Sequence, residues 1–172
     1  MKDNEYDQEN SGTKIARIHL NGKVEVLKNI HFSCSSCGVC CRLNRIPVRE
    51  EDILRFQEHG FELDQLLIDL SPVLIPSKNV DGNFIKAYIL RKKPFVNECI
   101  FLDDNNRCRV HEFKPLACRL YPFALRREND ETVIMQIHSK SVCPSVKLDV
   151  SEEESNTLEL VKQMYELFDL EE

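Results

Sequence analysis

The feature that most constrains this 172-residue chain is a run of cysteines in which four thiols fall within eight residues. The chain has eight cysteines in all, and each is a candidate metal ligand: Cys34, Cys37, Cys40, Cys41, Cys99, Cys108, Cys118 and Cys143. A disulfide between vicinal residues such as Cys40 and Cys41 is strained. Unrelated buried thiols would not cluster in this way, although cysteine packs well as a small hydrophobe. The pattern therefore favours thiolates gathered around metal.

The expected compartment agrees with this interpretation. The first residues, 1–13, are polar and contain no apolar run of the kind found in a secretory signal, so we expect the protein in the cytoplasm. In a reducing cytosol thiols stay free and serve as metal ligands or catalytic groups, whereas four disulfides would be the expectation in an oxidising compartment.

The spacing of the first cysteines indicates which metals to expect. A C-x-x-C pair suits one tetrahedral Zn²⁺, and Cys34, Cys37 and Cys40 extend it to three convergent thiols. Three at that spacing begin the iron–sulfur motif of bacterial ferredoxins, in which a Pro follows the last ligand, as Pro144 follows Cys143 here. The chain departs from that motif at Asn44, where the ferredoxin run has another cysteine. We expect an iron–sulfur cluster, of the 4Fe-4S type, or Zn²⁺.

The adjacent pair suggests more than one site. Neighbouring side chains usually point in different directions, so Cys40 and Cys41 are expected to serve two metals, or two irons of one cluster. One partition sets Cys41 with the later three thiols, Cys99, Cys108 and Cys118, and leaves Cys34, Cys37, Cys40 and Cys143 as the other set. His31 and His111 are weaker candidate ligands, and a Cys–His nucleophile pair involving His111 is a further alternative.

Composition excludes several function classes. With only five glycines the chain cannot form a Gly-rich phosphate-binding loop, and it has no apolar run long enough for a transmembrane helix. The net charge is −6, so nucleic acid is not an expected partner. Arginines lie within one residue of several cysteines, where they are expected to offset thiolate charge: Arg42, Arg107, Arg109 and Arg119.

The remaining pattern predicts an α+β fold, a small single domain of short antiparallel hairpins and a few helices around a cysteine-rich metal core. Asn21-Gly22 between alternating segments predicts a hairpin over residues 15–27, followed by a loop through the cysteine run. Helices are predicted after Pro47 and over residues 63–70, a strand over 84–90, and turns at 81–82 and 103–106. One helical turn is predicted over 115–122 and a hairpin over 123–138.

We divide the chain into a mobile tail over residues 1–13, a metal-binding domain over 14–148 and an acidic helix over 149–172 packed on the domain. Ser151 and Glu154 form a capping-box pattern, and apolar residues then recur at helical spacing. The segment from Asp149 onwards contains nine acidic residues and one Lys. The helix is expected to expose a solvated acidic face, or to offer that face to a protein partner.

Taken together, these segments resemble the YkgJ-like CxxCxxCC family. The resemblance rests on the run Cys34–Cys41, on Cys99-Ile100-Phe101-Leu102, and on Pro115-Leu116-Ala117-Cys118-Arg119-Leu120-Tyr121-Pro122-Phe123, and it covers about residues 32–144. It implies a domain that chelates zinc or iron and that all eight cysteines belong to its metal site or sites.

The resemblance supplies no reaction. A branch of the family, the flagellin lysine N-methylases, carries a similar cluster in a longer chain, which implies an iron–sulfur centre and leaves a cluster-dependent enzyme as one alternative. Methyl transfer is not carried over, because this chain has no evident cofactor motif. The expected function is metal binding with a redox or accessory role, and a zinc-stapled interaction adaptor is the other alternative.

Overall fold

The computed structural model describes residues 12–43, 45–76, 84–138 and 143–167. The described strands are β1 Lys14–His19, β2 Val24–Val26, β3 Ile30–Phe32, β4 Pro47–Val48, β5 Val73–Pro76, β6 Phe84–Ile89, β7 Phe123–Asn129, β8 Thr132–Ile137 and β9 Val146–Leu148. The helices are α1 Val39–Leu43, α2 Glu50–Glu58, α3 Leu63–Leu66, α4 Leu116–Leu120 and α5 Thr157–Leu167, with a 3₁₀ turn at His111–Phe113. The predicted α+β class is confirmed.

The described residues pack as two compact units. Unit 1 runs up to Cys34 and resumes at Leu120, and unit 2 spans Ser35–Arg119. Each unit has its own cluster of buried apolar side chains. The division into a tail, a domain over 14–148 and a separate C-terminal helix stays a prediction, and residues 1–11 of the predicted tail lie outside the described residues.

Unit 1 is built on a four-stranded antiparallel sheet in the order β2-β1-β8-β7. The predicted hairpin at Asn21-Gly22 is confirmed: β1 pairs with β2, and Gly22 has a positive φ of 86° in the turn. The predicted hairpin of β7 and β8 is confirmed as well. Ile15, Ile18 and Met135 are fully buried, and α5 covers them with Leu160, Val161 and Met164.

The start of α5 differs from the prediction. The Glu154 N–H donates to Ser151 Oγ at 3.3 Å, so the predicted bond of the capping box exists, but it closes a turn and the helix begins only at Thr157. The physical reason lies in the adjacent strand β3. Thr157 Oγ1 accepts from the Ile30 N–H at 3.0 Å, and the Asn156 side chain bonds the Phe32 N–H and carbonyl. These bonds fix the extended segment before the helix.

Unit 2 contains the three-stranded antiparallel sheet β4-β6-β5 and the short helices. Helix α2 is confirmed: acidic residues fill its first turn, and Gly60 follows it with a φ of 83°. Phe56 on this helix packs on Phe101, with ring centroids 5.2 Å apart. Both side chains are 1% exposed, so together their burial contributes several kcal/mol to the stability of the unit, about 1.5–3 kcal/mol each.

The helix predicted over 63–70 is shorter, ending at Leu66. Leu67 takes an extended conformation and bridges Leu90, and the Ile68 N–H donates to the Ile89 carbonyl at 3.0 Å. Sheet pairing therefore overrides the helical pattern. The predicted turn at 81–82 lies outside the described residues.

Candidate metal centre

All eight cysteines lie in described residues, and all are free thiols. Cys34 and Cys143 belong to unit 1. The other six belong to unit 2: Cys37, Cys40, Cys41, Cys99, Cys108 and Cys118. The disulfide alternative therefore has no support in this structure.

Helix α1 carries the adjacent pair Cys40 and Cys41. The sequence predicted a loop through the whole cysteine run, and this was wrong for residues 39–43, which form one helical turn. Gly38 precedes the helix with a φ of 73°, and a Cβ there would lie 2.7 Å from Arg42 Nη1 and 3.2 Å from Leu102 Cδ1. Glycine is thus required both by backbone conformation and by close approach.

A backbone hydrogen bond connects this helix to the next cysteine. The Cys99 N–H donates to the Cys41 carbonyl at 2.9 Å. Arg42 strengthens the connection, because its Nε donates to Glu98 Oε1 at 2.8 Å and its Nη2 donates to Asn106. The helix with two cysteines is therefore fixed against the segment that carries Cys99.

Cys99 and Cys108 flank a tight turn, as the sequence predicted. Leu102 bridges Cys108 in antiparallel fashion, and the Asp103 N–H donates to the Arg107 carbonyl at 2.9 Å. Asp103 Oδ1 accepts from the N–H groups of Asn105 and Arg107 at 2.9 and 2.8 Å, so this carboxylate is used by the turn.

Cys118 lies in helix α4, the helical turn that the sequence predicted after Pro115. The Cys118 N–H donates to the Pro115 carbonyl at 2.9 Å. Cys118 also packs with Cys41 and Cys108 against the buried core of unit 2, which includes Cys99 itself at 4% exposure. Thiols from three separate stretches of sequence therefore meet the same apolar core.

Five thiols of unit 2 interact electrostatically with one another: Cys40, Cys41, Cys99, Cys108 and Cys118. Two of them, Cys40 and Cys41 on α1, are also joined by a side-chain hydrogen bond. A hydrogen bond from the Cys41 side chain is the main cause that lowers the pKa of Cys40 to about 6. The same bond, followed by burial and by the neighbouring thiols Cys40, Cys99 and Cys118, raises the pKa of Cys41. The two thiols thus share one proton, with Cys40 as the thiolate.

The surroundings of Cys99 and Cys118 favour the protonated thiol, because they raise both pKa values. Burial raises the pKa of Cys99, and Cys108 and Cys40 add to the effect. Burial also raises the pKa of Cys118, with contributions from Cys99, Cys40 and Cys108. A thiolate at one of these cysteines therefore disfavours ionisation of its neighbours, and a bound cation would offset that repulsion.

Two lysines supply positive charge, which the sequence analysis did not anticipate. Lys114 lowers the pKa of Cys40 and opposes the rise at Cys118, and Lys92 opposes the rise at Cys99. The arginines that we expected in this role have other partners. Arg42 pairs with Glu98, and Arg109 Nη2 donates to the Ile100 carbonyl at 2.9 Å. Arg119 directly follows Cys118 in the sequence, but its charge interacts with Asp52, Arg49 and Arg55.

Among the described residues, no group of three or more His, Cys, Asp or Glu side chains is placed so that it could hold a metal ion. The five thiols are neighbours rather than a preformed site. His31 Nδ1 donates to the Glu154 carbonyl at 3.0 Å within unit 1, and ligation by His31 stays a prediction. Thiols are the soft donors that zinc and iron–sulfur sites use, and Lys92 and Lys114 act on those of unit 2.

These features define a class: a small α+β protein with clustered free cysteines of the kind that chelate metal. The chain belongs to the CxxCxxCC family, described as a "putative zinc- or iron-chelating domain", which it matches over residues 33–144. All eight cysteines lie between the first and last residues of this match.

Two relatives come from the archaeon Methanocaldococcus jannaschii. "Uncharacterized protein MJ0939" is 30% identical over 149 residues, covering 80% of this chain and 46% of the relative. "Uncharacterized protein MJ0661" is 28% identical over 118 residues, covering 68% of this chain and 54% of the relative. The chain thus spans about half the length of the curated relatives it matches. No solved structure matches it significantly.

Among the described residues, no helix combines the length and the apolar character that crossing a bilayer requires.

Proposed function

We propose that the chain binds metal through its cysteines, and that Cys41, Cys99, Cys108 and Cys118 hold one metal centre. The observation that carries the proposal is that Cys41, Cys108 and Cys118 pack against the same buried core that includes Cys99. Four thiolates are the ligand set of both a tetrahedral zinc site and an iron–sulfur cluster. Family membership supports zinc or iron in general.

We assign the metal as iron in an iron–sulfur cluster of the 4Fe-4S type, with zinc second. Support comes from the three-thiol run that begins at Cys34 and from the Cys143-Pro144 pair, both of which are typical of ferredoxin-like ligands. The grouping of Cys34, Cys37, Cys40 and Cys143 as a second set stays a prediction from the sequence. When bound, a cluster would supply one-electron chemistry, and the chain would act in a redox or accessory role.

The protein residues would prepare the site for metal. Metal ligation requires thiolates, so binding releases the proton that Cys40 and Cys41 share. Lys92 and Lys114 lower the free energy of gathering several thiolates, as their effects on neighbouring pKa values indicate. Apolar packing around Cys99 excludes water from one side.

The deciding experiment is elemental analysis of full-length protein purified without oxygen, together with its visible spectrum. An iron–sulfur protein should be brown and contain iron and acid-labile sulfide in equal amounts. Colourless protein that contains stoichiometric zinc would change the assigned metal from iron to zinc, and it would favour the adaptor alternative. Protein without bound metal after purification, which also binds neither zinc nor reconstituted iron and sulfide, would refute metal binding altogether.

The acidic helix as a surface for a protein partner stays a prediction. The apolar side chains that α5 buries, Leu160, Val161 and Met164, are used inside unit 1. A partner would therefore meet the polar face of the helix, which includes the exposed Glu159.

A further inference from the structure

A buried carboxylate in unit 2 is surrounded by three arginines. Asp52 is 1% exposed; its Oδ1 accepts from Arg55 Nη2, and its Oδ2 accepts from the Arg49 N–H at 3.1 Å. Arg119 interacts electrostatically with the same carboxylate and with both arginines. Arg119 on α4 is therefore close enough to interact with Arg49 and Arg55, which lie at the start of α2 and within it.

Positive charge exceeds negative charge in this cluster. Among the described residues of this cluster Asp52 is the buried acid, and Arg49 Nε lies 3.7 Å from the exposed carboxylate of Glu51. Helix α4, which carries Arg119, is hydrogen-bonded to Asp52 through the Leu116 N–H. One further negative charge would offset the repulsion among the three arginines.

Hydrogen bonding in the cluster is also incomplete. The Nε atoms of Arg49, Arg55 and Arg119 are buried and have no hydrogen-bond partner among the residues that the structure describes. Buried polar groups are nearly always bonded, so a structural arginine network would normally satisfy these donors.

We propose that Arg49, Arg55 and Arg119 together bind an oxyanion, the phosphate or carboxylate group of a small molecule, at the accessible ends of their guanidinium groups. The side chains of Arg49 and Arg55 are 43% and 28% exposed, so their ends can reach a ligand from solvent. Guanidinium forks match the two oxygens of such groups. Asp52 holds the arginines in place, and the positive charge that Asp52 does not neutralise is available to the ligand.

Calorimetric titration of the full-length, metal-containing protein tests this proposal. Inorganic phosphate and acetate are titrated separately into protein in a buffer free of other oxyanions, which shows whether phosphate or carboxylate is preferred. We expect saturable binding to one site. Arg119→Gln should weaken it about tenfold or more, because a charged hydrogen bond contributes roughly 1.5–3 kcal/mol.

Two further variants make the result decisive. Arg49→Gln removes a second member of the cluster without changing a neighbour of a proposed metal ligand, and it should weaken binding similarly. Arg91→Gln is the matched control, since Arg91 is exposed in the same unit and its Nη2 donates to the Asp64 carbonyl. Metal content is measured for each variant, so loss of metal is distinguished from loss of the anion. No saturable binding by wild type, or equal binding by wild type and Arg49→Gln, would overturn the proposal.

Discussion

The side chain of Asp52 and the backbone of Leu116 are joined by a 3.1 Å hydrogen bond, in which the Leu116 N–H donates to Oδ1. Leu116 is the first residue of α4, the helix that carries Cys118. Asp52 therefore ties the first turn of α2 to a helix that presents a proposed metal ligand. In the sequence, Asp52 is one of three consecutive acidic residues in the first turn of α2, where carboxylates interact favourably with the helix dipole.

Asp52→Asn should destabilise unit 2. It removes the charge that satisfies Arg55 and weakens the bond to the Leu116 N–H, so we expect a loss of about 2–3 kcal/mol in the free energy of unfolding. Denaturant unfolding of the full chain measures the loss. Glu50→Gln, two residues earlier in the same helix, is the control, because the Glu50–Lys86 pair is exposed and should contribute little to stability. Equal losses in the two variants would contradict a special role for Asp52.

Local patterns predicted those elements that local chemistry determines. The hairpin at Asn21-Gly22 and the strand pair β7–β8 follow from turn residues and alternation, and Pro115 marks the start of α4. Each of these depends on residues that are close in sequence. The α+β class could be predicted for the same reason.

Elements that depend on distant partners could not be predicted. Helix α1 is a five-residue turn held by the bond from the Cys99 N–H, and such a short helix has no apolar periodicity to detect. The cations beside the thiols are Lys92 and Lys114, whereas proximity in sequence pointed to Arg109 and Arg119. In the candidate site, the types of ligand could be predicted, but the charges around them are determined by tertiary packing.

Gly38→Ala tests the tight approach of the cysteine loop to Arg42. Alanine at a φ of 73° is strained, and its Cβ would displace Arg42, which Glu98 and Asn106 hold in position. Gly22→Ala is a matched control, because Gly22 also has a positive φ of 86° but nothing lies within 4 Å of its Cβ position. We expect a loss of about 1 kcal/mol at Gly22 from backbone strain and roughly 1 kcal/mol more at Gly38 from crowding. Unfolding experiments that give Gly38→Ala no greater loss than Gly22→Ala would contradict the close packing.

Single Cys→Ser variants test the proposed division of the ligands. Serine at Cys108 or Cys118 should reduce the metal content or change the visible spectrum, because either change removes one ligand of the same proposed centre. Serine at the exposed Cys34 should leave that centre in place, since Cys34 is assigned to the other set. Metal analysis and spectra are compared across the three proteins. Full retention of metal and spectrum in both Cys108→Ser and Cys118→Ser would refute the assignment.

Metal removal should affect the two units unequally. The core of unit 2 includes Cys99 and packs against Cys41, Cys108 and Cys118, whereas the buried cluster of unit 1 contains no cysteine among its described members. Structural metal binding contributes on the order of 10 kcal/mol to folding, so its loss should loosen the core that the ligands share. Chelation under reducing conditions is thus expected to increase amide exchange over residues 99–119.

The central strands of unit 1 provide the internal control in the same exchange experiment. Strands β1 and β8 pair along their length around Ala16 and Met135, both fully buried, and their amides should stay protected after chelation. Mass spectrometry of peptides from both units reports the two responses in one sample. Equal loss of protection in β8 and in residues 99–119 would show that metal stabilises the whole chain, and unchanged exchange in both would show that no described core depends on it.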